Sequence, residues 1–348
     1  MRWWAVALLS LVAALPASAE ELPNIHLKVV GGLGATVQYR NYEEPFWSKE
    51  LAEHSNGRVT AEVIPWDRAG IKGAELLGFI RLGAIPIGTV SLSQIASEDP
   101  EAAAVDLAGL NPDTAALRDS IAAYLPTLRE LYRTRYGIEM LAIWSYPAQV
   151  VFCNRPVSGL ADLKGVKVRV ASAMHGDFVA GLGGTGVMIP FDGVMEGLHK
   201  HVVDCAITAA MSGYRLGLQN ATTHLIPVTV SWGPYVLLAN LTAWRRLPPS
   251  VRDFLTHELG GLTDRLWDAT VQETDEGIAC LTGLGRCSKG DPGHMTLVPV
   301  NDEDRKLVRR SLTDAVMPRW AERCGADCVA EWNATIGRLF DMTVAAVR

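Results

Sequence analysis

Long apolar runs are missing from all but the start of this 348-residue chain. Beyond the amino-terminal segment no stretch approaches the roughly 18 consecutive apolar residues of a membrane-spanning helix, so the expectation is a soluble exported chain. Basic runs are missing as well. The formal charge is −6 and no lysine–arginine cluster is laid out to track a phosphate backbone, which sets nucleic acid aside as a partner. There is no Gly-x-Ser-x-Gly elbow and no His-Glu-x-x-His helix, the patterns that mark a hydrolase nucleophile or a zinc peptidase. His175, His199, His201, His224, His257 and His294 are scattered without a partner at a metal-ligating interval, and lone histidines read as surface or satisfied core residues. No enzyme activity, cofactor or metal is called for. Repeats, low-complexity linkers and charge blocks are also absent, so any two halves must be joined by strands or a helix and not by a flexible tether.

What is present begins at the amino terminus. Arg2 precedes an apolar run from Trp3 to Leu15, followed by Pro16, Ala17, Ser18 and Ala19. That is the layout of a secretory leader over residues 1–19 with a small-residue cleavage site, and it predicts a mature chain starting near Glu20 in the periplasm. A lipid anchor is not expected, since the first cysteine is Cys153. Six cysteines in an oxidising compartment point to disulfides. Cys280 with Cys287 and Cys324 with Cys328 would each close a short loop; no histidine or second cysteine pair stands near the latter at zinc spacing. Cys153 and Cys205 lie in strand-like apolar segments, where a bridge and two buried thiols are equally open readings.

A chain this long, 49% hydrophobic and 20% charged, can fill two lobes at ~100–200 residues each. Apolar residues alternate with period two at Ile25, Leu27 and Val29, at Val59, Ala61 and Val63, and at Val166, Val168 and Val170, which predicts strands. Helical spacing appears over Trp47–His54 and Glu75–Arg81, with Gly57 and Gly83 placed as left-handed caps. Val236 to Leu241 reads as a strand, and Pro248-Pro249 opens a helical stretch running toward Gly277, long enough to cross between lobes. The alternation gives an α/β fold. Gly181-x-Gly183-x-x-Gly186 matches a dinucleotide fingerprint by letter only: it follows a helix-like segment and precedes a strand, the reverse of what that motif requires.

Five segments, taken in order, carry a resemblance to a known family. They are "SNGRVTAEVIP", "LLGFIRLGAIPIG", "VSGLADLKGVKVRV" (Val157 to Val170), "GGTGVMIPFDGVMEGLHKHVVDCAIT" (Gly183 to Thr208) and "WRRLPPSVRDFL" (Trp244 to Leu255). Together they resemble the solute receptors of tripartite ATP-independent periplasmic (TRAP) transporters, from Leu27 to about Trp332. The resemblance implies a two-lobed fold of the periplasmic-binding-protein type II kind, with hinge-connecting strands and a long lobe-spanning helix. Lobe one would hold residues 24–146 and 235–273, and lobe two 147–234 and 274–348. It also implies a small organic acid as ligand and membrane permease subunits as partners. An exported hydrolase, or a sensory module using the same cleft, is the competing reading.

Arg169 is the central candidate. Strand geometry sends Val168 and Val170 to one face and Lys167 and Arg169 to the other. From spacing alone a solvated arginine is the expectation, but the resemblance makes it the residue that grips a carboxylate through its paired N–H donors. Relatives that bind acidic sugars carry a second arginine where this chain has Gln149 and an asparagine where it has Thr208, which argues against sialic-acid-like ligands. His201 stands where a glycine usually ends a helix, a change that affects a cap at up to ~1 kcal/mol. Trp66, Trp144, Tyr146, Phe191 and Trp232 fall in segments that line the family's cleft and would favour a ligand with an apolar part. Ser91, Ser93 and Gln94 would meet its far end.

Overall fold

We describe residues 21–345 of a computed structural model; the expected leader lies outside the described residues. Leu27 and Val29 are buried while His26 and Lys28 are exposed, so β1 (Ile25–Gly31) forms with one face inward. It pairs in parallel with β2 (Val59–Pro65) and β3 (Ile87–Ser91), and β3 is buried along its whole length. Strands β4 (Ile138–Trp144) and β10 (Tyr235–Asn240) complete a five-stranded sheet in the order β2-β1-β3-β10-β4, with β10 antiparallel to both neighbours. A second sheet of six strands takes β5 (Gln149–Cys153), β6 (Lys167–Val170), β7 (Thr185–Met188), β8 (Cys205–Ala209), β9 (His224–Ser231) and β11 (Thr296–Leu297). Its order is β11-β9-β5-β8-β6-β7, with β5 antiparallel to its neighbours. The central β8 is buried throughout, as a strand covered on both faces must be.

The chain crosses between the sheets through short connections that continue from strand to strand, with no flexible tether. Ser145–Ala148 joins β4 to β5, and Trp232–Pro234 joins β9 to β10. A third link is the helix Pro249–Thr282, 34 residues and so about 51 Å long. It holds the first crossover directly: Thr270 Oγ1 donates to the Ser145 carbonyl (2.8 Å), and Ala148 N–H donates to Thr274 Oγ1 (2.9 Å). The helix runs past Gly277 to Gly283, whose φ of 73° is the left-handed cap. Gly277 instead allows close packing, because a Cβ there would sit 2.4 Å from the Met211 nitrogen.

The strand predictions hold with shifts of a residue: β6 begins at Lys167, and β10 covers Tyr235–Asn240. Gly57 and Gly83 have φ of 78° and 75°, as helix-ending glycines do. The helical stretch before Gly57 is part α-helix (Leu51–His54) and part wider turn (Phe46–Glu50). The Gly181–Gly186 run lies between the helix Ala173–Gly181 and β7, and its glycines serve packing: a Cβ on Gly184 would meet the Leu163 carbonyl at 2.8 Å, and one on Gly186 the Gly176 Cα at 2.9 Å. All three cysteine pairs are bridged, Cys153–Cys205, Cys280–Cys287 and Cys324–Cys328. The first joins residues directly opposite each other on β5 and β8. The C-terminal helices rest on both halves. Trp320 and Trp332 donate their indole N–H groups to the Pro100 and Ala104 carbonyls, while Ser311 Oγ donates to the Phe178 carbonyl.

Candidate functional site

Strand direction decides where a ligand can meet both sheets. Gly31, Pro65, Ser91 and Trp144 end the parallel strands of the first sheet at one edge, where antiparallel β10 begins with Tyr235. In the second sheet Val170, Met188, Ala209 and Ser231 end their strands at one edge, where β5 begins with Gln149 between Ala209 and Ser231. The crossovers leave one edge and enter the other. At four and three residues they span at most roughly 17 Å, so the two edges face each other. Crevices at the carboxyl ends of strands are the usual ligand sites of α/β sheets.

Arg169 sits at this edge of the second sheet, opposite Ala206 on β8 and Val187 on β7. Lys167, on the same face, is exposed, yet Arg169 is only 3% exposed. Its Nε donates to the Ile189 carbonyl and its Nη1 to the Ile207 carbonyl, each at 2.8 Å. These two bonds fix the plane of the guanidinium. Among the described residues it has no carboxylate partner, and burial pulls its pKa down to about 10. A buried cation braced by carbonyls but not neutralised is prepared for an anion. The helix Ala173–Gly181 begins at the same edge, with Ser172 Oγ accepting from His175 N–H as its cap, and the positive end of its dipole adds to the attraction.

His175, a lone histidine that the sequence reads as a surface or satisfied core residue, lies at the same edge. It lies in the first turn of that helix, 4% exposed, with Nε2 2.7 Å from Ser231 Oγ. Its Nδ1 is buried and has no partner among the described residues. Burial first, and the charge of Arg169 second, push its pKa down to about 3, so the ring is neutral. Two further unpartnered polar atoms lie at the first sheet's edge: Trp66 Nε1, just after β2, and Gln94 Oε1, just after β3. Ser91 is buried, with its Oγ 2.8 Å from Ser93 Oγ.

Glu43 is a second residue without a sequence signal. It is fully enclosed beneath the first sheet's edge, accepting from Gly32 N–H (2.9 Å) and from Thr89 Oγ1, and burial raises its pKa to about 7. Tyr146 Oη lies 3.1 Å from Thr36 Oγ1, and the Tyr146 ring packs on Tyr235 at 4.1 Å between centroids. Tyr146 lies within the first crossover and Tyr235 directly after the second, so this cluster braces both connections. Trp232 likewise spends its indole N–H on the Asn111 carbonyl (3.0 Å), while its backbone N–H and that of Gly233 donate to Asp106. Trp144 is core, at 1% exposed.

Thr208 is buried near the end of β8 opposite Val150, and Gln149 is half-buried on the edge itself. Trp66 and Phe191, half-buried after β2 and β7, are the aromatics left at the rim. His201 has a φ of 53°, the left-handed conformation that favours glycine. A crevice of about 640 Å³ lies elsewhere, between the helix Thr114–Arg135 and the C-terminal helices. Glu98, Asp99, Glu101, Glu130, Asp327 and Glu331 line it beside Arg135 and Arg323; the acids outnumber the two arginines, which disfavours an organic anion, and Arg169 is not part of it.

Comparison with known proteins bears on this geometry. A family model described as DctP, bacterial extracellular solute-binding protein, family 7, matches residues 36–308. The C4-dicarboxylate-binding periplasmic protein DctP of Rhodobacter capsulatus is 25% identical over 292 residues, which cover 82% of this chain and 84% of that one. Among solved structures, DctP7 of Bordetella pertussis, an extracytoplasmic solute receptor binding pyroglutamic acid, superposes with a TM-score of 0.78 at 20% identity, covering 89% of this chain and 98% of the other. A TRAP periplasmic solute-binding protein of Desulfovibrio salexigens with bound orotic acid gives a TM-score of 0.78 at 16% identity, over 90% and 99% of the two chains.

Proposed function

The chain belongs to the family 7 bacterial extracellular solute-binding proteins, the solute receptors of TRAP transporters, and from that premise we propose that it captures a small organic monocarboxylate between its two sheet edges. The observation that carries the reading is the buried guanidinium of Arg169, held in a fixed plane by two carbonyls and lacking a carboxylate among the described residues. The ligand's carboxylate takes its free N–H donors. Gln149 and Thr208 add uncharged hydrogen bonds on the same edge. Trp66 and Phe191 flank the apolar part of the ligand, Tyr146 and Trp232 form the wall behind it, and Ser91 and Gln94 meet the far end. Similar proteins are named for C4-dicarboxylates, pyroglutamic acid and orotic acid. With glutamine in place of a second arginine, this chain favours one carboxylate and an apolar or ring-bearing remainder.

Closure follows from the same charge. An ion pair strengthens as water is excluded, so a ligand gripped by Arg169 binds the closed arrangement of residues 24–146 plus 235–273 against 147–234 plus 274–348 more tightly than the open one. That differential affinity is what shifts the equilibrium. The closed receptor then delivers its ligand in the periplasm to membrane permease subunits. The test is a thermal-shift and calorimetric screen of the mature chain against aromatic, ring-bearing and aliphatic monocarboxylates, with dicarboxylates and neutral amides as controls. Saturable binding by at least one monocarboxylate, lost in its amide, supports the reading. Equal binding of acid and amide contradicts it.

A further inference from the structure

The proposed carboxylate grip leaves one polar atom of the same edge without a task. His175 Nδ1 is sealed from solvent and unpartnered among the described residues, while Nε2 is committed to Ser231 Oγ at 2.7 Å. Buried ring nitrogens are rarely left unpaired. The neighbouring acid on the helix, Asp177, is taken by Arg319 at 3.2 Å and Arg323 at 2.6 Å and does not serve the imidazole. The ring feels the charge of Arg169, and both residues sit where β6 hands over to the helix Ala173–Gly181.

Resting on the carboxylate reading, we propose that His175 sets specificity: its Nδ1 lone pair accepts a hydrogen bond from a hydroxyl or amide N–H on the ligand carbon next to the carboxylate held by Arg169. The tautomer follows from the surroundings. Nε2–H donates to Ser231 Oγ, and the lone pair, not a second N–H dipole, is what a nearby guanidinium stabilises. The favoured ligands are therefore 2-hydroxy acids and 2-amido or lactam acids over their unsubstituted analogues. An analogue without the donor leaves Nδ1 buried and unpaired, a difference a hydrogen-bonding site reads strongly.

Matched pairs test this by calorimetry: pyroglutamate against cyclopentanecarboxylate, lactate against propionate, and mandelate against phenylacetate. The wild type is expected to prefer the donor-bearing member of any pair it binds by about tenfold or more. His175→Leu is expected to erase that preference by weakening only the donor-bearing acid. Ring-¹⁵N spectra of wild-type protein give a second readout independent of any variant: the unprotonated Nδ1 signal should move with the donor-bearing acid and stay in place with its analogue. Equal affinities within every bound pair, a preference that survives in His175→Leu, or an unmoved Nδ1 signal would each overturn the assignment. If none of these acids binds while other carboxylates do, the donor preference is wrong and the grip stands. If no carboxylate binds the wild type, the grip itself fails and this inference with it.

Discussion

Replacing Arg169 with methionine separates a binding arginine from a structural one. Methionine keeps much of the apolar stem and removes the charge and its donors. In the wild type the guanidinium is 3% exposed without a countercharge among the described residues, and its pKa falls from 12.5 to about 10, a burial penalty of roughly 3 kcal/mol. The substitution relieves that penalty but strips the Ile189 and Ile207 carbonyls of their donors, at about 1–3 kcal/mol each. These terms oppose one another, so the unliganded variant should melt within a few degrees of the wild type. Binding has no such compensation. Truncating one partner of a desolvated charge pair costs about 2–5 kcal/mol, a loss in affinity of roughly 30-fold to several thousand-fold. Arg169→Lys, which restores a charge but not the fork, should fall between. Differential scanning calorimetry of the unliganded proteins and titration with the best monocarboxylate supply both readouts. Affinity within threefold of wild type in the methionine variant would refute the reasoning, as would a collapse of the unliganded fold that Arg169→Lys rescues without restoring binding.

Glu43 carries a pH dependence of unusual sign. Its folded pKa, about 7, lies above its ordinary value of 4.5, so its contribution to stability is present in full below about pH 4.5 and is lost as pH rises through about 7, by roughly 3 kcal/mol. Urea unfolding of wild type and Glu43→Gln at several pH values should show the difference between them changing in that window and in that direction; a flat difference would contradict it. His201 occupies a left-handed conformation at φ 53°, so His201→Gly should raise stability by about 0.5–1 kcal/mol in the same assay, and a destabilised variant would show that the imidazole contributes more than its backbone conformation costs.

Much of the fold was legible because its signals are local. The alternation in β1 and β2, the capping glycines Gly57 and Gly83, and the proline that opens the long helix all depend on neighbours a few residues away. Gly277 was not legible: its role is to let a helix approach the backbone of Met211, a contact set by tertiary packing. The pairing of Cys153 with Cys205 depends on β5 lying beside β8, which needs the strand order. Lys167 and Arg169 present the same pattern to a reader of sequence, but the segment through Ile189 closes over one of them and leaves the other in solvent. His175 gave one usable signal, its place three residues after the capping Ser172 and six after Arg169, in the turn that faces the strand ends. Glu43 gave none, since its two donors, Gly32 just after β1 and Thr89 in β3, are distant in sequence.

The central claim is that one uncompensated guanidinium at the facing strand ends receives the ligand. A crystal structure of the mature protein with its tightest-binding organic acid tests it most directly. The account predicts the ligand's carboxylate within hydrogen-bonding distance of the Arg169 guanidinium, enclosed by Trp66 on one side and Phe191 on the other. A ligand seated in the acidic crevice beside Asp99 and Glu331, or between the sheets with its carboxylate turned away from Arg169, would contradict it.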